Sequence, residues 1–174
     1  DDNLLDGHIF YASLGEYYLA HGEFKKGEKY LDKSNQIRNS VSITPSLVIA
    51  KTKVKKYDQA KKILDLYKPI TTYDKVNFMN AKFIFNYETK NIEELKKISA
   101  ETYLYYSNYS KGIIREKGNP GIDFFKRKIT GQLELLTNLN KNDLDEISKY
   151  FKKQLNKEFD SAIIEYIELS RSSK

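Results

Sequence analysis

An all-α fold built of antiparallel helix pairs, with about eight or nine helices in all, is the class this sequence predicts. Apolar residues recur at three- and four-residue steps along nearly the whole chain, with no sustained alternation of period two. Glycine and proline are scarce, 8 and 3 of 174 residues, so long stretches carry nothing that would stop a helix. The few breaks and caps fall between periodic segments, where helices would start and end.

The first helix carries Tyr11, Leu14, Gly15 and Tyr18 on one face. His21-Gly22 closes it, because glycine takes the left-handed conformation that a helix end needs. A second helix starts near Phe24 and runs to about Ile37, with Phe24, Gly27, Leu31 and Ser34 as its buried stripe. Thr44 is the expected N-cap of a third, with Pro45 at its first position, and that helix runs to about Lys55. Tyr57, Ala60, Leu64 and Tyr67 mark the fourth, which Pro69 ends. Thr71 and Asp74 offer a capping box for a helix from about Tyr73 to Glu88, apolar enough to pack on two sides. Asn91 with Glu94 caps the next, which bears Ile92, Leu95 and Ser99. A tyrosine-rich helix follows, and "GNPG" at 118–121 is the clearest break. Beyond it, Ile122, Phe125, Ile129, Leu133 and Leu136 follow helical spacing. Leu144, Ile147, Phe151 and Leu155 do so again behind an Asn142 cap, and a final amphipathic helix carries Phe159, Ala162, Ile163, Tyr166 and Ile167.

The second helices of successive pairs start at Phe24, Tyr57, Ile92 and Leu144, separated by 33, 35 and 52 residues. A plain helical bundle shares the helical period but gives no reason for the first two separations. "YASLGEYYLAHGEFKKGEKYLDKS" resembles the tetratricopeptide repeat, whose period is roughly 34 residues, in Tyr11, Leu14-Gly15, Tyr18, Gly22, Phe24, Gly27, Leu31 and Ser34. Glycine stands at 27 where the family has alanine, and no unit keeps the family's closing proline. Small residues at 15 and 27 would let the two helices cross closely, with Phe24 and Leu31 filling the groove between them. The resemblance implies that residues 1–100 form tetratricopeptide-like helix pairs stacked as a short right-handed α-solenoid. Residues 101–174 would continue it with a degenerate repeat and a capping helix, broken at 118–121.

Chemistry is sparse. The chain has no cysteine and two histidines, His8 and His21, and no phosphate-binding glycine loop or metal-ligand spacing. We therefore expect neither catalytic residues, cofactor nor metal. Acidic pairs such as Glu93-Glu94 sit at helix starts, where the helix dipole favours them. The formal charge is +6, but only Arg38, Arg115, Arg127 and Arg171 are arginines, and the lysines mix with acids, which disfavours nucleic acid as a partner. "KTKVKK" at 51–56 is the densest basic patch, either a solvated helix end or a site for an acidic partner. No run is long and apolar enough to cross a bilayer. The chain opens on Asp1, which reads as a domain excised from a larger protein. Cytoplasmic and extracytoplasmic settings both stay open, the first favoured.

If the resemblance holds, the first helices of each pair line a concave groove for an extended peptide or helix. That face maps to Glu16, Ser46, Lys53, Asn77, Asn80 and Tyr87, and the asparagine amides can both donate to and accept from a peptide backbone. Tyr103, Tyr105, Tyr106 and Tyr109 cannot share one helix face, which makes them a second candidate surface. The leading expectation is a non-enzymatic scaffold for a protein or peptide partner. The alternatives are a peptide-sensing receptor domain of a Gram-positive-type regulator lacking its DNA-binding part, and a structural or oligomerising helical domain. Either a monomer or a homodimer is compatible, with the outer face of the final helix expected to be mostly polar.

Overall fold

The computed structural model describes residues 2–110 and 122–155. Among the described residues there are eight helices and no strands: α1 (Asp2–Ala20), α2 (Phe24–Ile37), α3 (Thr44–Lys53), α4 (Tyr57–Leu66), α5 (Thr72–Glu88), α6 (Ile92–Ser110), α7 (Ile122–Thr137) and α8 (Lys141–Leu155). The chain divides into two compact units between Ile70 and Thr71. The expected break at 118–121 and the final amphipathic helix lie outside the described residues.

In the first unit each helix packs on the next, and α1 also reaches α3. The α1–α2 crossing depends on two glycines. A Cβ placed on Gly15 would lie 2.6 Å from Leu31 Cγ and 3.0 Å from the Leu31 backbone nitrogen. One placed on Gly27 would lie 3.2 Å from the Leu19 nitrogen and 3.3 Å from the Gly15 carbonyl oxygen. Backbone therefore meets backbone here, as the sequence predicts, and Leu31 fills the seam with no exposure at all. Further along the same seam, buried His8 and Ser34 clasp the two helices. Ser34 Oγ donates to the His8 carbonyl at 2.8 Å and the His8 Nδ1–H reaches the Ser34 hydroxyl and carbonyl at 2.8 and 3.1 Å.

The turns inside the first three helix pairs are built alike. Gly22, Lys55 and Lys90 all take positive φ, at 76°, 64° and 54°. At each turn the next backbone N–H reaches five residues back: Glu23 to Tyr18, Lys56 to Lys51 and Asn91 to Asn86, all at 2.9 Å. This is a Schellman closure, which satisfies carbonyls that the helix end would otherwise leave unpaired. Two residues past each left-handed residue the next helix begins, at Phe24, Tyr57 and Ile92. The same offsets place Gly15, Val48 and Phe83 at one buried first-helix position and Leu31, Leu64 and Ser99 at one buried second-helix position. The first position grows from glycine through valine to phenylalanine, while the second is leucine in the first two pairs and serine in the third.

The second unit is organised around α6, which packs against α5, α7 and α8, while α5 also touches α7. Its core includes Phe83, Leu95, Phe125, Leu136, Ile147 and Phe151. The Thr71–Asp74 capping box forms as predicted, and the Glu94 N–H donates to Asn91 Oδ1 at 3.3 Å.

Two caps differ from the sequence reading. Thr44 is the first residue of α3, not its cap. Ile43, buried in the core, holds the cap position, and Thr44 Oγ1 donates back to the Ser40 carbonyl at 2.9 Å. Likewise α8 is capped by Asn140 instead of Asn142: the Asp143 N–H donates to Asn140 Oδ1 at 3.0 Å, and Asn140 Nδ2 donates back to Asp143 Oδ2 at 2.7 Å. Each asparagine has an aspartate three residues on, so the local pattern fits both.

Candidate functional site

Pro69 is incompatible with continuing α4 and disfavours helical backbone at Lys68, so the helix stops at Leu66 and the chain turns extended at Tyr67. From there the Tyr67 hydroxyl donates to the Val41 carbonyl at 3.0 Å. The link ties the end of α4 to the loop between α2 and α3. Ser40 and Ser42 hydroxyls bond each other at 2.9 Å in the same loop. Between these fixed walls lies an open cleft of about 380 Å³. Leu47 and Ile63 belong to its apolar floor, continuous with the core around Leu31. Leu66, 72% exposed, stands at the rim. Asn35, Asn39 and Thr44 supply polar groups, and Lys68 is the one charged residue among the described residues lining it.

Away from the residues that line the cleft, α2, α3 and α4 are held by an ionic network centred on buried Lys51 and Glu28. Lys51, nearly buried, donates to Glu28 Oε1 at 3.1 Å, Asp32 Oδ2 at 2.8 Å and Gln59 Oε1 at 3.2 Å. Lys56 adds a second cation on Glu28 Oε1 at 2.7 Å. Burial alone would raise the Glu28 carboxyl, but the Lys56 and Lys51 ammonium groups outweigh it and hold the group below the ordinary carboxylate range. Much of the "KTKVKK" patch thus serves the interior: Lys51 and Lys56 neutralise α2 acids, and Lys53 sits over the Phe24 ring at 5.8 Å.

The residues singled out in the sequence fall in both units. Glu16 is exposed on α1, and Ser46 and Lys53 are half-buried on α3. Asn77 and Tyr87 are half-buried on α5, with Tyr87 stacked on Phe83 at 6.4 Å. Asn80 is buried, and its Oδ1 accepts from Gln132 Nε2 at 3.3 Å, so its amide links α5 to α7. Asn77 and Asn80 therefore do not present two equivalent open amides. Tyr103 and Tyr106 are buried in the second unit, and Tyr105 and Tyr109 half-buried. Tyr105, Tyr106 and Tyr109 gather around Phe125 at 5.8, 6.3 and 4.6 Å, and Tyr103 meets Phe151 at 6.1 Å. Three neighbouring helices cover more of α6 than a single apolar stripe would need. His8 is committed to Ser34, and exposed His21 bonds the Tyr17 carbonyl at 2.7 Å. No three His, Cys, Asp or Glu side chains converge on a metal-sized site among the described residues. None of the described helices is long and apolar enough to cross a membrane.

The cleft escapes sequence reading because residues from α2, the following loop, α3 and the end of α4 meet there. Only the Pro69 stop and the exposed Leu66 give a local hint. No family model, no curated protein and no solved structure matches the chain.

Proposed function

We propose that this chain is a non-enzymatic helical-repeat scaffold, tetratricopeptide-like in its helix pairs, and that its first unit holds a short peptide segment in the α2–α4 cleft. The recurrence of one turn design at Gly22, Lys55 and Lys90 carries the repeat part of the reading. Stacking of such pairs into a right-handed solenoid is the arrangement this reading expects.

For the binding part, the cleft has the size of a ligand site and the composition a peptide requires. Its floor accepts an apolar side chain, the Asn35 and Asn39 amides offer paired donors and acceptors to a backbone, and Lys68 suits a carboxylate. The Tyr67–Val41 bond fixes the walls before a ligand arrives, which lowers the ordering cost of binding.

Peptide display against the whole chain provides the test, with recovered peptides titrated onto variants that circular dichroism shows to be folded. Asn39→Ala/Leu66→Glu changes two open positions of the cleft and is expected to weaken binding by about 2 kcal/mol, roughly thirtyfold. Asn77→Ala/Tyr87→Ala changes the α5 candidates and is expected to leave binding unaltered. The reverse pattern would place recognition on α5 and refute the cleft.

A further inference from the structure

The open flank of the α1–α2 pair carries a second arrangement that the cleft does not use. Tyr30 of α2 lies between two α1 tyrosines, stacked at 6.1 Å from Tyr11 with 15° between planes and at 5.5 Å from Tyr18 with 11°. Lysines lie over these rings: Lys26 is 5.0 Å from the Tyr18 centroid, Lys29 5.9 Å from Tyr30, and Lys33 5.1 Å from Tyr11 and 5.8 Å from Tyr30. Around them Phe10, 60% exposed, meets Tyr11 edge-on, and Tyr17, 55% exposed, meets Tyr18 edge-on. An apolar aromatic strip at the surface is thus bordered by cations.

Apart from Lys25, the charges of α2 are sorted by side. Its acids Glu28 and Asp32 face α3, where they hold Lys51. Its lysines 26, 29 and 33 lie on the tyrosine side, where Glu23 is the carboxylate paired with Lys26. On the α3 side the arrangement already shows what α2 does with a neighbouring helix: carboxylates on one element take up ammonium groups from the other. The tyrosine side offers the same relation with the signs exchanged.

We infer that this flank is a docking surface for an acidic amphipathic segment of another protein, its apolar side chains lying on Phe10, Tyr17 and the tyrosine ladder and its carboxylates meeting Lys26, Lys29 and Lys33. Lysines and tyrosine hydroxyls are donors, which match carboxylate acceptors. The stacked rings occupy one another's faces and the lysines take faces that remain, which favours carboxylate pairing over the open ring faces a stack of nucleic-acid bases uses. The surface lies apart from the cleft and does not depend on it.

The test uses the whole chain and a fluorescein-labelled helix-forming peptide with glutamates on one face and leucine and phenylalanine on the other. Fluorescence anisotropy should show binding that weakens with added salt and falls about tenfold in Lys26→Gln/Lys29→Gln/Lys33→Gln. Removing the same charge elsewhere, in Lys62→Gln/Lys90→Gln/Lys149→Gln, should leave binding within about twofold. A lysine-bearing version of the peptide should bind a Lys26→Glu/Lys29→Glu/Lys33→Glu variant and not the wild type. Equal loss in both glutamine variants would reduce the effect to net charge and overturn the proposal, as would no binding of the acidic peptide. Tighter binding of an oligothymidylate of similar length, lost in the first glutamine variant, would overturn it in favour of single-stranded nucleic acid.

Discussion

Gly15→Val should strongly destabilise the first helix pair, lowering the midpoint of thermal and urea unfolding. Even the first added carbon meets Leu31 at 2.6 Å, and Leu31 has nowhere to go because it is fully buried. Overpacking of this kind costs about 1–3 kcal/mol for a methyl group, and the bulkier valine adds to it. Alanine at 15 recovers about 1 kcal/mol of helix propensity, so Gly15→Ala should be the milder of the two and still destabilising. The control is Gly131→Ala on α7, where an added carbon meets nothing within 4 Å. With no clash to offset the propensity gain, that change should stabilise by about 0.5–1 kcal/mol. Urea unfolding of the three variants, fitted for midpoint and slope, checks both signs.

Lys51→Ala should cost about 3 kcal/mol, the scale of losing one partner from a buried ion pair. The ammonium group serves three acceptors on two neighbouring helices, so its removal leaves Glu28 buried with Lys56 alone and Asp32 without that cation. The same network predicts acid sensitivity. The Glu28 carboxyl is held below its ordinary value of 4.5 in the fold, so as pH falls below that value the unfolded chain takes up its proton first. The stabilisation is present above pH 4.5 and disappears as pH drops through the depressed folded-state value. In Lys51→Ala the depression should shrink, and the acid limb of a stability-against-pH curve should move to higher pH and become shallower. An unchanged acid limb in Glu28→Gln would show that other carboxylates set it.

How far the sequence reaches depends on the range of the interaction. The Gly22 turn, the Thr71–Asp74 box and the start of α2 at Phe24 are decided by residues within one helical turn, and all are readable in advance. The Gly15–Leu31 crossing was also within reach, because a repeated pattern of small and large residues marks which faces meet. At Lys55 and Lys90 the same left-handed turn hides under lysine, because the Schellman bonds and the packed helices on either side outweigh the cost of that conformation for a side chain. The interior role of Lys51 was hidden as well, since its partners lie 19 and 23 residues away and a lysine reads as surface. Asn80 misleads for a related reason: α5 packs on two sides, so a polar residue opposite one apolar stripe can still be inside, bonded to Gln132. The tyrosines of α6 follow the same logic around Phe125.

The most direct test of the peptide-scaffold reading is a chemical-shift map of the whole chain, with the highest-affinity display-selected peptide added stepwise. The cleft account predicts that the side-chain amides of Asn35 and Asn39 and the methyl groups of Ile63 and Leu66 shift together and saturate at one stoichiometric equivalent. Shifts confined to Asn77, Tyr87 and their neighbours on α5, with the Asn35, Asn39 and Ile63 signals unmoved, would contradict it.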